Sequence, residues 1–310
     1  MKTAIVSGAA GFVGKALISE LVHCGVHVWA VVRNEQADMS EFRDNPAVRV
    51  VCCEMDLLDT LPQKITEPAD VFFHLAWTGS TGPARGDYAL QLTNARWTTD
   101  AVRAAHRIGC KRFVGAGTLA ELDVNAYSPV AGSTPNAVSC YGAAKIAAHY
   151  MSKAECCRLG VEHLWAYLSN TYGEGNYTSN FINFAAKTML TGQSADFTSG
   201  EQMYDFVHVS DTARGLRCIG EKGRKNTAYY IGSSKPSKLK EFISAIRNEI
   251  DPAIQLNLGA VPFRGVEQPA EVFDCSSIIN EAGYRPCVPF EEGIKRTVAW
   301  LRTEIMEGRL

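Results

Sequence analysis

Residues 3–22, which read TAIVSGAAGFVGKALISELV, decide how this chain folds. Residues 3–7 form a short apolar run, which predicts a buried strand, and residues 15–22 predict a helix. Between the two, glycines recur with the spacing Gly-x-x-Gly-x-x-Gly, at Gly8, Gly11 and Gly14. A strand, a glycine turn and a helix in this order are the context that a dinucleotide-binding loop requires.

The glycine loop predicts a binding site for a pyrophosphate. Glycines permit a tight turn and a close approach of the backbone, and the helix N-terminus offers unpaired N–H groups at Phe12 and Val13. The spacing is one residue longer at the front than Gly-x-Gly-x-x-Gly. The alternative interpretation is a glycine turn with a purely structural role.

Strand and helix signals alternate through the first half of the chain. Five more apolar runs, each separated from the next by a helical or loop segment, predict a parallel sheet with helices on both faces. The alternation breaks near Asn170, and five prolines between Pro252 and Pro289 then mark loops. We therefore expect an α/β protein with a doubly wound parallel (Rossmann) sheet and a smaller mixed α/β C-terminal domain. The predicted domains are 1–170, with segments near 204–232 returning to it, and 171–310 for the substrate.

The end of the second strand bears on the choice of cofactor. About twenty residues past the glycines, an acidic residue would bind the adenosine ribose of NAD, whereas an arginine suits the 2′-phosphate of NADP. The residue here is Arg33, so NADP is favoured over NAD, although the arginine could simply face water. Asp56, just past the third strand, could accept a hydrogen bond from the adenine amine.

Tyr141 and Lys145 are four residues apart in an alanine-rich segment that predicts a helix, so the two side chains share one helix face. A neighbouring cation favours the phenolate and lowers the pKa of a tyrosine, which would give a proton donor and acceptor near neutral pH. Thr118 falls at the carboxyl end of the fifth strand, where ligands of open parallel sheets bind.

The fourth strand and the long helix that follows it add candidates near the cofactor. The small side chain of Ala76 would let the backbone pass close to the cofactor. Trp77, the next residue, is expected to lie in the cofactor-binding crevice. Asn94 is a polar exception on the helix, and it either hydrogen-bonds to backbone or faces the site.

Composition and charge exclude several classes of partner. Apolar residues are 46% and charged residues 21%, which is ordinary for a globular protein. The net charge of −2 gives no basic surface for nucleic acid or anionic membrane, and no stretch is apolar enough to span a bilayer. The ten cysteines show no spacing typical of a zinc site, and no signal peptide precedes the first strand. We expect reduced thiols, no metal site and a cytoplasmic location.

Taken in order, these motifs resemble the extended short-chain dehydrogenase/reductases, the family of nucleotide-sugar epimerases, dehydratases and 4-keto reductases. The likeness covers nearly the whole chain and continues through Asn170-Thr171-Tyr172-Gly173 and Tyr204-Asp205-Phe206. It implies a catalytic set of Thr118, Tyr141 and Lys145, a sugar-nucleotide contact at Asn170, and a homodimer formed by the helices at 87–107 and 139–158. The cofactor contacts expected from the motifs and the resemblance are Gly8, Gly11, Phe12, Val13, Gly14, Arg33, Asp56, Leu57, Leu75, Ala76, Trp77, Asn94, Tyr141 and Lys145.

Two departures from the family pattern bear on the reaction and the substrate. The family's dehydratases follow the catalytic threonine with Asp-Glu, but here Thr118 is followed by Leu119-Ala120, and Glu121 comes one position too late. Members of the family often have an arginine directly before the residues that match Asp205-Phe206, and that arginine binds the nucleotide phosphates. In this chain the position is occupied by Tyr204. Arg85 or Arg264 is expected to substitute for it, and the expected substrate contacts are Trp77, Thr118, Asn170, Tyr204, Arg85 and Arg264.

The resemblance implies an NAD(P)-dependent oxidoreductase that acts at C4 of a nucleotide-linked sugar. We expect a 4-keto-(6-deoxy)sugar reductase, because Arg33 suits NADP, which a reductase releases after each turnover. A 4-epimerase that retains NAD would use the same residues. A non-catalytic NAD(P)-sensing regulator is a third alternative, which the intact Thr118, Tyr141 and Lys145 set disfavours.

Overall fold

A seven-stranded parallel sheet forms the centre of the protein. The computed structural model describes residues 1–127, 132, 134–194, 196–265 and 267–310. The sheet has the order β11-β6-β5-β4-β1-β2-β3, and every neighbouring pair is parallel. The predicted doubly wound parallel sheet is therefore confirmed. Its strands are β1 (Thr3–Ser7), β2 (His27–Val32), β3 (Val48–Cys52), β4 (Val71–His74), β5 (Arg112–Thr118), β6 (Glu162–Leu168) and β11 (Thr227–Ile231).

Helices and short strands make up the rest of the described chain. The α-helices are α1 (Phe12–His23), α2 (Leu61–Lys64), α3 (Tyr88–Ile108), α4 (Leu119–Tyr127), α5 (Ala137–Leu159), α6 (Phe181–Leu190), α7 (Val209–Lys222), α8 (Leu239–Ile250), α9 (Ser276–Ala282) and α10 (Phe290–Met306). Short 3₁₀ turns lie at Ser40–Phe42, Met55–Thr60, Gly82–Gly86 and Ala270–Phe273. The short strands are β7 (Asn170–Tyr172), β8 (Asp196–Phe197), β9 (Met203–Tyr204), β10 (Phe206–His208), β12 (Ser237–Lys238) and β13 (Asn257–Leu258).

The strand order reverses between β1 and β4. The chain builds outward from β1 through β2 to β3 and then starts again on the other side with β4. A crevice opens at such a point, outside the carboxyl ends of the strands, and ligands of doubly wound folds bind in it. The loops after β1 and β4, which carry the predicted cofactor residues, therefore meet at this crevice.

Apolar side chains on each side of the sheet form separate core clusters. One cluster brings Leu17 and Leu21 of α1 together with Leu216 and Ile219 of α7, and the other is built around Ala101, Val102 and Ala105 of α3 with Phe72 and Phe113 from the sheet. A third cluster, apart from the sheet, unites α6, α8 and α10. This last cluster gives the residues after β7 a core of their own.

Residues 203–208 form two short strands in place of one continuous strand. Asp205 separates β9 from β10; β9 pairs with β12, and β10 pairs with β7. The buried Asp205 carboxylate accepts hydrogen bonds from the Ser233 backbone N–H and the Tyr230 hydroxyl, which turns the chain at this point. Within the 204–232 region, β11 joins the main sheet, and α7 packs with α1 in a core cluster on one side of it. The division into domains, with its boundary at residue 170 and the return of these segments, stays a prediction.

Within the part of the chain that the structure describes, none of the helices has the length and hydropathy needed to cross a membrane.

Candidate active site

The glycine loop is shaped by close backbone contacts that only glycine allows. Gly8 has a φ of +74°, and a β-carbon there would lie 2.8 Å from the backbone N of Ala76. A β-carbon on Gly14 would overlap the carbonyl oxygen of Gly8. Gly11 is the N-cap of α1 and supplies no side-chain cap, so the first N–H groups of the helix face the cleft without a side-chain partner. This cradle fits a pyrophosphate.

A cleft of about 650 Å³ opens above the glycine loop. It follows the carboxyl edge of the sheet from the end of β2 to the end of β6. Most of the predicted cofactor residues line this cleft, namely Gly8, Gly11, Phe12, Val13, Gly14, Arg33, Leu75, Ala76, Trp77 and Tyr141, and Thr118, predicted to be catalytic, lines it as well. The residues at this edge therefore fit a bound dinucleotide.

At the β2 end of the cleft, the exposed Arg33 reaches across to the next loop. Its Nη2 lies 3.3 Å from the Thr78 hydroxyl. Asp56 and Leu57 are exposed in the 3₁₀ turn after β3, and their neighbours Met55 and Leu58 line the cleft instead. A contact of Asp56 or Leu57 with adenine stays a prediction.

Asn94 is fully buried in α3 and bonds to backbone. Its Oδ1 accepts from the Thr78 N–H at 2.8 Å, and its Nδ2 donates to the carbonyls of Thr78 and Leu90. Of the two alternatives for Asn94, the structure shows the hydrogen bonds to backbone. Asn94 fixes the loop that borders the cleft, and a direct contact with the cofactor stays a prediction.

Tyr141 and Lys145 are brought to the cleft by the start of α5. A capping box fixes this start, in which the Asn136 side chain accepts from the N–H groups of Val138 and Ser139. Both side chains are buried, and Lys145 is 5% exposed. Lys145 Nζ donates to the Ala116 carbonyl at 2.7 Å and lies 3.8 Å from the centre of the Trp77 ring.

The protonation of this pair differs from what the spacing predicts. Burial raises the pKa of Tyr141 to about 12, while Arg85 and a side-chain hydrogen bond with Thr118 act in the opposite direction. Burial also lowers the pKa of Lys145 to about 7. The expected lowering of the Tyr141 pKa is therefore wrong for this structure, because desolvation outweighs the opposing effects of the Arg85 guanidinium and the Thr118 hydroxyl.

Arg85, one of the two predicted phosphate-binding arginines, lies beside Tyr141. Its guanidinium stands 5.0 Å from the centre of the Tyr141 ring, and its Nε donates to the Ser80 carbonyl at 2.6 Å. This position places a permanent cation at the phenol.

A second cavity has a volume of about 610 Å³. Leu119 and Ser139 line it, and they are close in sequence to Thr118 and Tyr141, which line the cleft. This cavity brings together three predicted substrate residues that are distant in sequence, namely Asn170, Tyr204 and Arg264.

Comparison with known proteins identifies the family. Residues 4–232 match the model of the NAD dependent epimerase/dehydratase family. The chain belongs to this family. The dTDP-glucose 4,6-dehydratase of Streptomyces niveus is 25% identical over 319 residues, covering 96% of this chain and 92% of that protein. The corresponding enzyme of Haemophilus influenzae is 25% identical over 340 residues, covering 97% and 98% of the two chains.

Solved structures of epimerases share the fold. The UDP-glucose 4-epimerase of Thermotoga maritima, solved with UDP-glucose, has a TM-score of 0.81 at 19% identity and covers 98% of this chain and 99% of its own. The UDP-glucuronic acid 4-epimerase of Bacillus cereus, in complex with NAD, has a TM-score of 0.78 at 19% identity, with 97% and 99% covered. The resemblance to the extended short-chain dehydrogenase/reductases is thereby confirmed, as is the prediction of an enzyme.

Sequence reasoning missed two side chains that shape the candidate site of this chain. Gln91 accepts from Trp77 Nε1 at 2.9 Å and donates to two backbone carbonyls. Gln268 donates to Asp123 Oδ1 at 2.5 Å inside the second cavity. Their partners are distant in sequence or follow no motif, so no local pattern marks these residues.

Proposed function

We propose that this chain catalyses hydride transfer at C4 of a nucleotide-diphosphate sugar, as a 4-keto-(6-deoxy)sugar reductase. The observation that supports the proposal is that Thr118 and Tyr141 line the dinucleotide cleft, with Lys145 bonded to the Ala116 carbonyl on the same strand as Thr118. A sugar carbonyl that enters this cleft would be in reach of both hydroxyls.

Each residue of the set has a distinct role. The nicotinamide cofactor, when bound, supplies the hydride. Tyr141 donates the proton to the carbonyl oxygen, and its raised pKa suits a general acid that must stay protonated at neutral pH. The Thr118 hydroxyl holds the same oxygen, and Lys145 binds the nicotinamide ribose.

Dehydration is disfavoured because the side chains after Thr118 carry no acid or base. Leu119 is half-buried and apolar, and Ala120 is buried. Elimination of water from a sugar needs both a proton acceptor and a proton donor at the carbons involved. The similarity to dehydratases therefore supports the substrate class and not their reaction.

We infer that NADP is preferred over NAD, although the family model is named for NAD. Arg33 is exposed at the adenosine end of the cleft, where a guanidinium can bind a 2′-phosphate. Replacing Arg33 by serine is expected to weaken NADPH binding about tenfold or more, the worth of a charge-assisted hydrogen bond, and to leave NADH binding nearly unchanged. Fluorescence titration of both nucleotides measures this, and equal losses for the two would contradict the assignment.

The second cavity is the proposed sugar-nucleotide site. Asn170 and Tyr204 offer polar groups to a sugar or base, and Arg264 offers the cation that a diphosphate needs. Arg264 lines this cavity, whereas the Arg85 guanidinium lies 5.0 Å from the centre of the Tyr141 ring, so Arg264 is the better candidate for the diphosphate. An Arg264→Ala variant that bound nucleoside diphosphates as tightly as the wild type would exclude this role.

A 4-epimerase that retains NAD is the second candidate, and the NAD dependence in the family model's name favours it. Denaturing the purified protein and identifying the nucleotide released distinguishes the two. A protein that releases no nucleotide and oxidises NADPH with a nucleotide-linked 4-keto-6-deoxyhexose is a reductase, whereas stoichiometric release of NAD indicates the epimerase. Tyr141→Phe is expected to lower turnover about 10²- to 10⁴-fold in either case, and undiminished turnover would exclude the catalytic set.

We also infer a homodimer in the cytoplasm. Large apolar side chains stand exposed on the packed helices α3 and α5, at Tyr88, Leu92, Tyr150 and Met151, and such a patch is typical of a protein–protein interface. None of the ten cysteines forms a disulfide in the described structure, which is consistent with a reducing compartment.

A further inference from the structure

Glu121 is a buried acidic side chain directly beneath the catalytic groups, and the roles assigned above leave it unused. It lies in the first turn of α4 and is 1% exposed. Its Oε1 accepts a hydrogen bond from the Thr118 backbone N–H at 2.9 Å, and Trp165 Nε1 lies 3.2 Å from each carboxylate oxygen. A β-carbon on Gly117 would lie 2.7 Å from Glu121 Oε1, so the carboxylate fits only because residue 117 has no side chain.

Glu121 and Lys145 hold the same short segment of β5. The carboxylate binds the N–H of Thr118, and the Lys145 ammonium binds the carbonyl of Ala116, two residues earlier. Glu121 therefore fixes the backbone that carries the Thr118 hydroxyl, and its carboxylate and the Lys145 ammonium bond to backbone groups only two residues apart on this strand.

The charge of Glu121 acts in the same direction on both catalytic groups. Burial lowers the pKa of Lys145, and the Glu121 carboxylate opposes that change by favouring the ammonium. The same carboxylate raises the pKa of Tyr141, because a second negative charge nearby disfavours the phenolate. A buried anion is costly unless it is well bonded, and hydrogen bonds from Thr118 and Trp165 provide that bonding.

Other titratable or charged groups surround this cluster from several elements. His149 Nδ1 lies 3.7 Å from Glu121 Oε2 and within 3.4 Å of the Tyr167 hydroxyl. Arg85 acts against Glu121 at Tyr141 by favouring the phenolate. His74 faces Lys145, whose charge contributes to lowering the pKa of that histidine to about 3. The charge of Glu121 thus acts on both Tyr141 and Lys145.

We propose that Glu121 is a positioning residue that fixes the backbone of Thr118 and holds Lys145 and Tyr141 in their proton-bearing forms. A carbonyl reduction starts from these forms, since the phenol must donate a proton. The link to reduction rests on the proposed function, whereas the effect on the two protonation states does not.

The direct test is the titration of Lys145 by NMR with ε-¹³C-labelled lysine, in which the Lys145 signal is assigned by its loss in Lys145→Arg. In the wild type, the midpoint is expected near pH 7. In Glu121→Gln, which keeps the size and a hydrogen-bond acceptor but removes the charge, the midpoint is expected to fall by about one pH unit or more. An unchanged midpoint in a folded Glu121→Gln overturns the proposal.

Trp165→Phe is the matched control, because it removes a hydrogen bond to the carboxylate and keeps the charge. Its Lys145 midpoint is expected to stay near that of the wild type; a fall as large as that in Glu121→Gln would assign the effect to packing and overturn the proposal. If Glu121→Gln does not fold, Glu121→Met provides the same charge deletion without an amide. If neither variant folds, the NMR titration of the wild type provides the test. A Lys145 side chain that is already neutral at pH 6 would overturn the proposal that Glu121 keeps Lys145 protonated.

Kinetics separate this role from a structural one. With a nucleotide-linked 4-keto-6-deoxyhexose and NADPH, Glu121→Gln is expected to shift the alkaline limb of the kcat/KM profile toward lower pH by about one unit. A uniform loss at all pH values would indicate a purely structural residue. If the wild type turns over no such sugar, the proposed function fails, and the NMR titration still decides the role of Glu121.

Discussion

At the scale of single residues, the site is governed by how deeply its charged groups are buried. Lys145 carries its ammonium inside the protein, with the Ala116 carbonyl and the Trp77 ring as neighbours. A ring face 3.8 Å away attracts a cation, most strongly where water is excluded. The remaining cost of desolvation lowers the pKa of Lys145 to about 7, so the charge of this residue reduces the stability of the fold.

This cost predicts how stability depends on pH. Between about pH 7 and the ordinary lysine value of 10.5, the folded state binds fewer protons at Lys145 than the unfolded chain does. The contribution of Lys145 to the free energy of unfolding therefore rises with pH across this window. Replacing Lys145 by methionine removes the cost and is expected to stabilise the fold by about 2 kcal/mol at pH 7, with a smaller gain at pH 10.

Urea unfolding at the two pH values measures this difference. Lys153→Met serves as the control, because Lys153 is half-buried on the same helix. A gain that is the same at pH 7 and pH 10 would show that Lys145 is not neutralised by burial.

At the scale of elements, α5 positions the catalytic pair through its first turn. The Asn136 side chain accepts from Val138 and Ser139, and the Ser139 hydroxyl accepts from the Asn136 N–H. Tyr141 follows two residues after Ser139, so a frayed N-terminus would loosen the tyrosine before it affected Lys145 one turn further on.

Asn136→Ala is expected to lower the free energy of unfolding by about 1 kcal/mol, the usual worth of an N-cap, and to reduce turnover more than cofactor binding. Thermal unfolding and steady-state kinetics measure the two effects. Asn136→Asp keeps the cap and is the control; a loss of stability as large as that in the alanine variant would contradict the capping role.

The elements also show what the sequence could predict and why the rest escaped. The glycine loop and the Tyr141–Lys145 face follow from local spacing, which the backbone of one turn or one helix determines. The division of the 204–208 segment could not be predicted, because it depends on Asp205 bonding to Ser233 and Tyr230 from another part of the chain. Glu121 was noted in the sequence only as displaced from a dehydratase pattern, and its bond to Thr118 became evident in the structure.

At the scale of the whole molecule, α3 and α5 present the surface best suited to a second copy of the chain. Leu92 is 58% exposed and Met151 is 51% exposed, and Arg103 of α3 pairs with Glu155 of α5 at 2.7 Å, which keeps the two helices together. Exposed apolar side chains on two packed helices offer the kind of patch that a homodimer buries.

Sedimentation velocity is expected to show a dimer for the wild type and a shift toward monomer for Leu92→Glu, because the introduced charge would be buried at the interface without a partner. Leu258→Glu is the control, since Leu258 is also exposed but lies in β13. A wild type that sediments as a monomer, or a Leu92→Glu variant that remains dimeric, would place the interface elsewhere.

The parallel sheet, the glycine loop and the candidate catalytic residues Thr118, Tyr141 and Lys145 could be predicted from residue types at fixed local spacing. How those groups behave depends on the tertiary structure. Burial raises the pKa of Tyr141, where the sequence predicts a lowering. The fold also brings the Glu121 carboxylate to the Thr118 backbone N–H. The same fold brings Asn170, Tyr204 and Arg264 to the lining of one cavity. The physical reason is that desolvation and electrostatic fields depend on which distant segments exclude water from a group, and one-dimensional spacing carries little of that information.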